Sequence, residues 1–560
     1  MEANRSFGIR LPNLSAPPRL RIDFRFPWQS GTLRQCCQAL LFSILYGTSF
    51  AQSPVLNRSE PLALAPGKTT ALALLGERLV PDGTLWISFP AQFITNNSSD
   101  HASTFRVTLG PNVPSGIGAL QLVNSNGVSN FRLVLVDPLP SLVDVRTNTM
   151  TTNAQALPLP TAVDGYCAEL ESHFYRIHLD RKQRVAIEVV ANQIGSLLDP
   201  FLRVLDIHGH ELGSVDDTPG CGADGYMEFI APKAGVYMIE VRDTRYAGGP
   251  NFFFHLRVGN IAVKPWRFLP LAEPLPGPTA DALPIYRTPG SETNTRRPKE
   301  GERQHGVQSR DGSNSPRTPE VADIVQPPIL IQGRFDFPGR RDVFEFPTKK
   351  DERWIIRGRT RSLGSPCDLY LRLEKPDGSR IIESDATGAD EGGLTNKFAE
   401  TGTARLVVEE LNRGGGPGFD YQIEIIPFEP GFSLTVATNT VSVPPGESFE
   451  LKVSAVRRDF DGAITLSLAG PVEGCSLTNN VIAEKQKETT MKVTAPVTST
   501  AGTLLNFAIV GVGRISERRI EVRASTMAVL KDQFPQMLLP SRELDGSISL
   551  GVKPGGANSK

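Results

Sequence analysis

A chain of 560 residues is too long for one hydrophobic core and requires several domains. Its 51 Gly and 45 Pro, beside a hydrophobic share of 39%, suit short strands joined by many turns, with some linker between them. Lys and Arg number 59 against 60 Asp and Glu, a balance that argues against nucleic acid as a partner.

The first predicted element is a leader over residues 1–51. In "LRQCCQALLFSILYGTSFAQS", Arg34 precedes an apolar run from Ala39 to Tyr46 and a small-x-small site at Ser49-Phe50-Ala51, the pattern of a secretory signal peptide cut after Ala51. The run is too short for a permanent transmembrane anchor, which needs about 20 apolar residues, and no other stretch reaches that length. The expected destination is the periplasm, the cell surface or the extracellular space. Cys167 and Cys221 fall in one predicted domain and are the favoured disulfide candidates of an exported chain. No CxxC spacing occurs, so a metal held through sulfur is not expected.

Residues 53–140 alternate apolar and polar positions between turns, as in "TTALALLGERL", "STFRVTLG" and "NFRLVLVD", and predict an immunoglobulin-like β-sandwich. Residues 158–262 continue the alternation in "SHFYRIHLD" and "RVAIEVVAN". The hairpin "LDPFLRVLDIHGHELGSVDD" follows, then "GVYMIEVRD" and "NFFFHLRVG". Residues 263–322 are Pro-rich, then polar, and predict a disordered linker because they offer too little apolar surface to offset their ordering entropy. Residues 323–428 repeat the second domain: "CDLYLRLEKPDGSRIIESDA" aligns without a gap to the hairpin, placing Asp199 on Asp368, Arg203 on Arg372 and Asp216 on Asp385. An internal duplication is expected. Residues 429–525 predict a further immunoglobulin-like sandwich and 526–560 a loose tail. The fold class is all-β, in tandem sandwiches joined by linkers.

Both repeats resemble the bacterial pre-peptidase C-terminal (PPC) domain, a jelly-roll-like sandwich. The likeness rests on His173-Phe174-Tyr175 and Asp342-Val343-Phe344, then on Leu198-Asp199, Leu202 and Gly209, on the Asp216-Asp217 loop, and on Gly235-Val236-Tyr237 with Val241. His173 stands where the family usually has Asp, and the second repeat lacks the second Asp of the acidic loop. The whole chain is similar to exported multi-sandwich proteins of planctomycete-type bacteria.

The resemblance implies calcium and the binding of carbohydrate or matrix. Calcium takes six to eight oxygen ligands, and Asp199, Asp216, Asp217 and Asp224 lie at strand ends that would converge on one edge, with Asp368, Asp385, Asp390 and Glu391 as counterparts. The same acids also read as turn residues: Asp199 and Asp368 satisfying backbone amides, the others solvated. His208 and His210 read as a metal pair or as hairpin-turn residues. Arg203 and Arg372 read as ligand clamps or as strand residues facing solvent. "NFFFHL" reads as a sugar-stacking face or as a core strand with one exposed ring. No nucleophile elbow, zinc helix or phosphate loop is present, and no enzyme is expected. Two functions follow. One is a non-catalytic binding protein of the envelope or extracellular space, with a protein or polysaccharide partner. The other is an accessory or targeting subunit of a separately encoded secreted peptidase.

Overall fold

Alternating apolar residues give strands with one face to bury, and almost the whole chain uses that solution. The computed structural model describes residues 52–554, apart from 81–82, 219–220, 262–265, 274–282, 289–321, 386–390 and 538. The leader expected over 1–51 and much of the expected linker therefore lie outside the described residues. Among the described residues eight sheets carry the fold.

In the first sandwich, the sheet Val55–Glu60, Thr69–Glu77, Ala102–Thr108 and Gln92–Ser98 covers the sheet Ala63–Leu64, Arg132–Val136, Gly116–Asn124 and Thr84–Ile87. In the first repeat, one sheet orders Ser141–Val143, Thr161–Tyr166, Phe253–Gly259, Arg184–Val190 and Tyr226–Ile230. Its partner orders Gln155–Ala156, Ser172–Leu179, Gly235–Asp243, Pro200–Leu205 and Glu211–Val215. The second repeat has the same strand order in both sheets, from Ile285–Arg287 to Gly393–Lys397 and from Asp323–Ile324 to Arg380–Asp385. The last sandwich pairs a four-stranded sheet beginning at Gly431–Val436 with a six-stranded one.

Two segments depart from expectation. Residues 263–322 are not all linker: Ile285–Arg287 pairs in parallel with Ile329–Arg334 as an edge strand of the second repeat, and Leu269 enters the core of the first sandwich. The described part of the expected loose tail 526–560, up to residue 554, is not loose. The strand Ile548–Val552 lies between Thr440–Val443 and Leu504–Ile515, inside the last sandwich, and all five of its residues are buried. Ile548 and Leu550 point into that core, while Ser549 on the other face donates to Gln121 Oε1 of the first sandwich at 2.8 Å.

The strand is one of several ties between sandwiches. A fifth apolar cluster belongs to no single sandwich: Ile117, Leu133 and Leu135 of the first sandwich meet Val190, Ile194 and Phe253 of the first repeat, and Leu530, Phe534 and Leu544 of the C-terminal segment close it. Leu530 and Phe534 come from the helix Met527–Gln533 and its C-cap. Arg542 of the same segment pairs with Glu391 of the second repeat, and Arg353 of that repeat pairs with Asp459 of the last sandwich. The described residues from 52 to 554 thus form one compact unit rather than beads on a flexible string.

The two repeats have the same architecture but different polar cores. In the first, Tyr175 donates to Asp144 at 2.9 Å, His173 Nδ1 stands 2.9 Å from the same carboxylate, and the His173 ring packs edge-on against Phe254. In the second, the aligned positions are Phe344, Asp342 and Tyr421, and there Tyr421 donates to Asp342. The buried phenol has changed strands, and its acid has moved with it.

Candidate functional site

The acidic loop is assembled by hairpin pairing. Asp199 precedes the strand Pro200–Leu205 and Asp216-Asp217 follow its partner Glu211–Val215. With Leu202 opposite Val215, the three acids arrive at one end of the sheet. One carboxylate oxygen of each lies within 4.8 Å of the others. Asp199 also accepts from Thr244 Oγ1 at 2.7 Å, which fixes its direction. Partial burial, then the charges of Asp217 and Asp199, push the Asp216 carboxyl above its ordinary value, and Arg242 opposes this only in part. A set of hard oxygen donors without sulfur or imidazole fits calcium, whose shell carbonyls and water would complete.

Asp224 does not join them. It is buried, and its carboxylate accepts the backbone amides of Ala191, Asn192 and Gln193 at 2.9, 2.6 and 3.1 Å, closing the turn Asn192–Ile194. Burial pushes this carboxyl up to about 6 against the pull of those amides. Glu391 performs the same task in the second repeat, accepting from Thr360 N and Ser362 N at 2.9 and 2.8 Å. The acid at this position is therefore a turn cap in both repeats. Replacing Asp224 with Ala leaves one buried and two partly buried amides without a partner. The expected cost is about 1–3 kcal/mol, read as a lower urea midpoint that shifts equally with and without calcium.

Among the described residues no second acidic site is assembled in the later repeat: Asp368 is engaged by Arg361 at 2.8 Å, and the Asp385 side chain and Asp390 lie outside the described residues. The histidines of "HGH" are turn residues, with Asp206 accepting the amides of His208 and His210 at 2.8 and 3.0 Å. Arg203 and Arg372 each hold an internal carboxylate, Glu240 and Glu374, both at 2.6 Å. Phe254 lies in the core of the first repeat, and Phe253 is covered by the first sandwich. The expected Cys167–Cys221 disulfide is absent, since all four described cysteines are free. Cys167 packs inside the apolar core, where burial raises its thiol, while Cys221 sits in the turn before Asp224.

The densest polar cluster went unread in the sequence because its residues sit on different domains. His255 bridges Asp164 (Nδ1, 2.5 Å) and Asp137 (Nε2, 3.0 Å). Arg257 donates to Asp137 at 2.8 Å and pairs with Glu188, which also accepts from Trp266 Nε1 at 3.1 Å. Asp137 belongs to the first sandwich and His255, Arg257 and Glu188 to the first repeat, so the cluster fastens one to the other. Burial works to lower the His255 imidazole, but Asp164 and Asp137 outweigh it and raise the group to about 9. Burial alone would raise Asp137, yet His255 and Arg257 hold it below the usual carboxylate range.

No family model and no curated protein matches the chain. Among solved structures it is similar to the pre-peptidase C-terminal domain of a collagenase from Bacillus anthracis, with 17% identity, 20% of this chain and 99% of that one, and a TM-score of 0.17. It is also similar to domains 1–6 of the surface-layer protein SbsC (10% identity, 93% of this chain, 56% of that one, TM-score 0.14). A third is the N-terminal four immunoglobulin domains of Dscam1 (10% identity, 84% and 98%, TM-score 0.16). Among the described residues no helix is long and apolar enough to cross a membrane. The chain is an all-β protein of packed sandwiches.

Proposed function

We propose that this chain is an exported, non-catalytic interaction protein of the cell envelope or extracellular space, and that its first repeat holds a calcium ion through Asp199, Asp216 and Asp217. The observation that carries the reading is the convergence of those three carboxylates, with no arginine hydrogen-bonded to them among the described residues as Arg361 is to Asp368. The buried ionisable groups support the non-catalytic part. His255, Arg257, Glu188 and Asp137 are occupied in fastening one sandwich to the next, and Asp224 in capping a turn. A calcium ion here would cross-link the two ends of the hairpin and present its open coordination positions to a partner's oxygen atoms.

The test is thermal unfolding of the purified chain in calcium and in EDTA, followed by co-sedimentation with envelopes of the host. Calcium at a hundred times its dissociation constant should stabilise the chain by about 2.7 kcal/mol, and Asp216→Asn with Asp217→Asn should abolish the response. The wild type should sediment with envelopes in calcium and be released by EDTA. An unchanged midpoint removes the ion from the reading. Capture of a single secreted peptidase in place of envelope would establish the accessory role instead.

A further inference from the structure

A cleft of about 610 Å³ opens between the first sandwich and the first repeat, away from the acidic triad, within the size range of small-molecule sites. Its walls are apolar, with Pro61, Ala63, Ala71, Pro140 and Leu142 among them, and Val143 stands 77% exposed at its edge. The cleft also carries charge. The guanidinium of Arg146 lies 4.3 Å from the Tyr166 ring centroid and that of Arg58 lies 5.3 Å from it, and both lean on a single acid, Glu60, at 3.8 and 3.0 Å. Lys68 lines the same cleft, is exposed, and has no ion-pair partner among the described residues.

The acids at the back do not offset these cations. Asp164 is taken up by His255 and by the amide of Leu62 at 3.0 Å, and Asp137 by His255 and Arg257. Two further features stand at the cleft. Ser59 lines it, only 2% exposed, and its hydroxyl finds no hydrogen-bond partner, which is a costly state for a buried polar group. Arg146 is held at φ 60, in the left-handed region that a non-glycine residue adopts at a cost and that recurs at binding sites.

We propose that this cleft binds a small amphiphilic anion, its acidic head between Arg58, Arg146 and Lys68 and its hydrocarbon body along the Pro61–Leu142 walls. Tyr166 is covered by the two guanidinium groups, so its role is to hold them in place rather than to stack on a sugar. The site is independent of calcium and of the acidic triad.

Isothermal titration of the full chain with decanoate, decyl phosphate and decanol tests the assignment. At least one of the two anions should bind one-to-one, about tenfold or more tighter than decanol, and whichever binds tighter identifies the head as carboxylate or phosphate. Arg146→Glu and Lys68→Glu, both at exposed positions, should each weaken the anion about tenfold. Lys492→Glu, on the last sandwich, should leave it unchanged. Anions binding no tighter than decanol, no saturable anion binding at millimolar concentration, or full affinity in both charge-reversal variants would overturn the proposal.

Discussion

A chain truncated after Ser525 is expected to lose its last sandwich as a folded body and to loosen the attachment of the other three. The strand Ile548–Val552 is hydrogen-bonded on both sides, so its removal opens two internal edges, Thr440–Val443 and Leu504–Ile515, and takes Ile548 and Leu550 out of the core. Limited proteolysis should then cut within residues 429–525 at protease levels that leave the intact chain untouched. The single change Phe534→Ala separates the two effects. It should leave that sandwich folded but empty a buried site in the cluster between domains, at a cost of about 3–5 kcal/mol. Its signature is an early unfolding step ahead of the main transition. A truncated chain as resistant to protease as the intact one would refute the structural role of the C-terminal segment.

The second large effect concerns the charges fastening the first sandwich to the first repeat. Arg257→Met leaves Asp137 and Glu188 buried with much of their compensation gone, and a loss of about 3–5 kcal/mol is expected. The cluster also makes the attachment depend on pH. The folded imidazole of His255 titrates near 9, above the ordinary value of 6.5, so the folded state binds its proton more tightly than the unfolded chain does. That contribution is complete below about pH 6.5, declines as the pH rises, and is gone once the pH has passed 9. It amounts to on the order of 3 kcal/mol. The charges facing the imidazole are Asp137 and Asp164, with Arg257 and Glu188 one contact further out. Melting temperatures of the wild type should fall between pH 6.5 and 9.5, whereas His255→Gln should begin lower and lack that step. A wild-type profile flat across this window would show that His255 is not protonated there.

The strands were legible because period-two alternation reports directly on a sheet with one buried face. What alternation does not report is what covers the other face. His255 and Arg257 alternate with Leu256 and Val258 as residues facing water would, yet they are buried, because Asp137 meets them across a domain boundary while Glu188 pairs with Arg257 from the neighbouring strand. Phe253 posed the same problem in apolar form. The tail was missed because its strand is only five residues long and follows a helix and a turn, leaving little alternation to weigh. Within the candidate site, Asp199, Asp216 and Asp217 could be grouped because hairpin register relates them. Asp224 could not be separated from them, since whether an acid near a turn faces solvent or caps amides depends on burial.

The relocated phenol has a consequence for how the chain reaches its fold. Tandem domains of the same architecture are prone to exchange strands with each other during folding. Here such an exchange is penalised from within. If Asp420–Pro427 took the place of Phe253–Gly259, Tyr421 would enter a core where His173 replaces its acid. The reverse exchange would leave the half-buried Asp342 facing Phe254 without its phenol, with Arg340 as its remaining partner. Divergence of one polar pair thus disfavours either sandwich that takes up its sibling's strand.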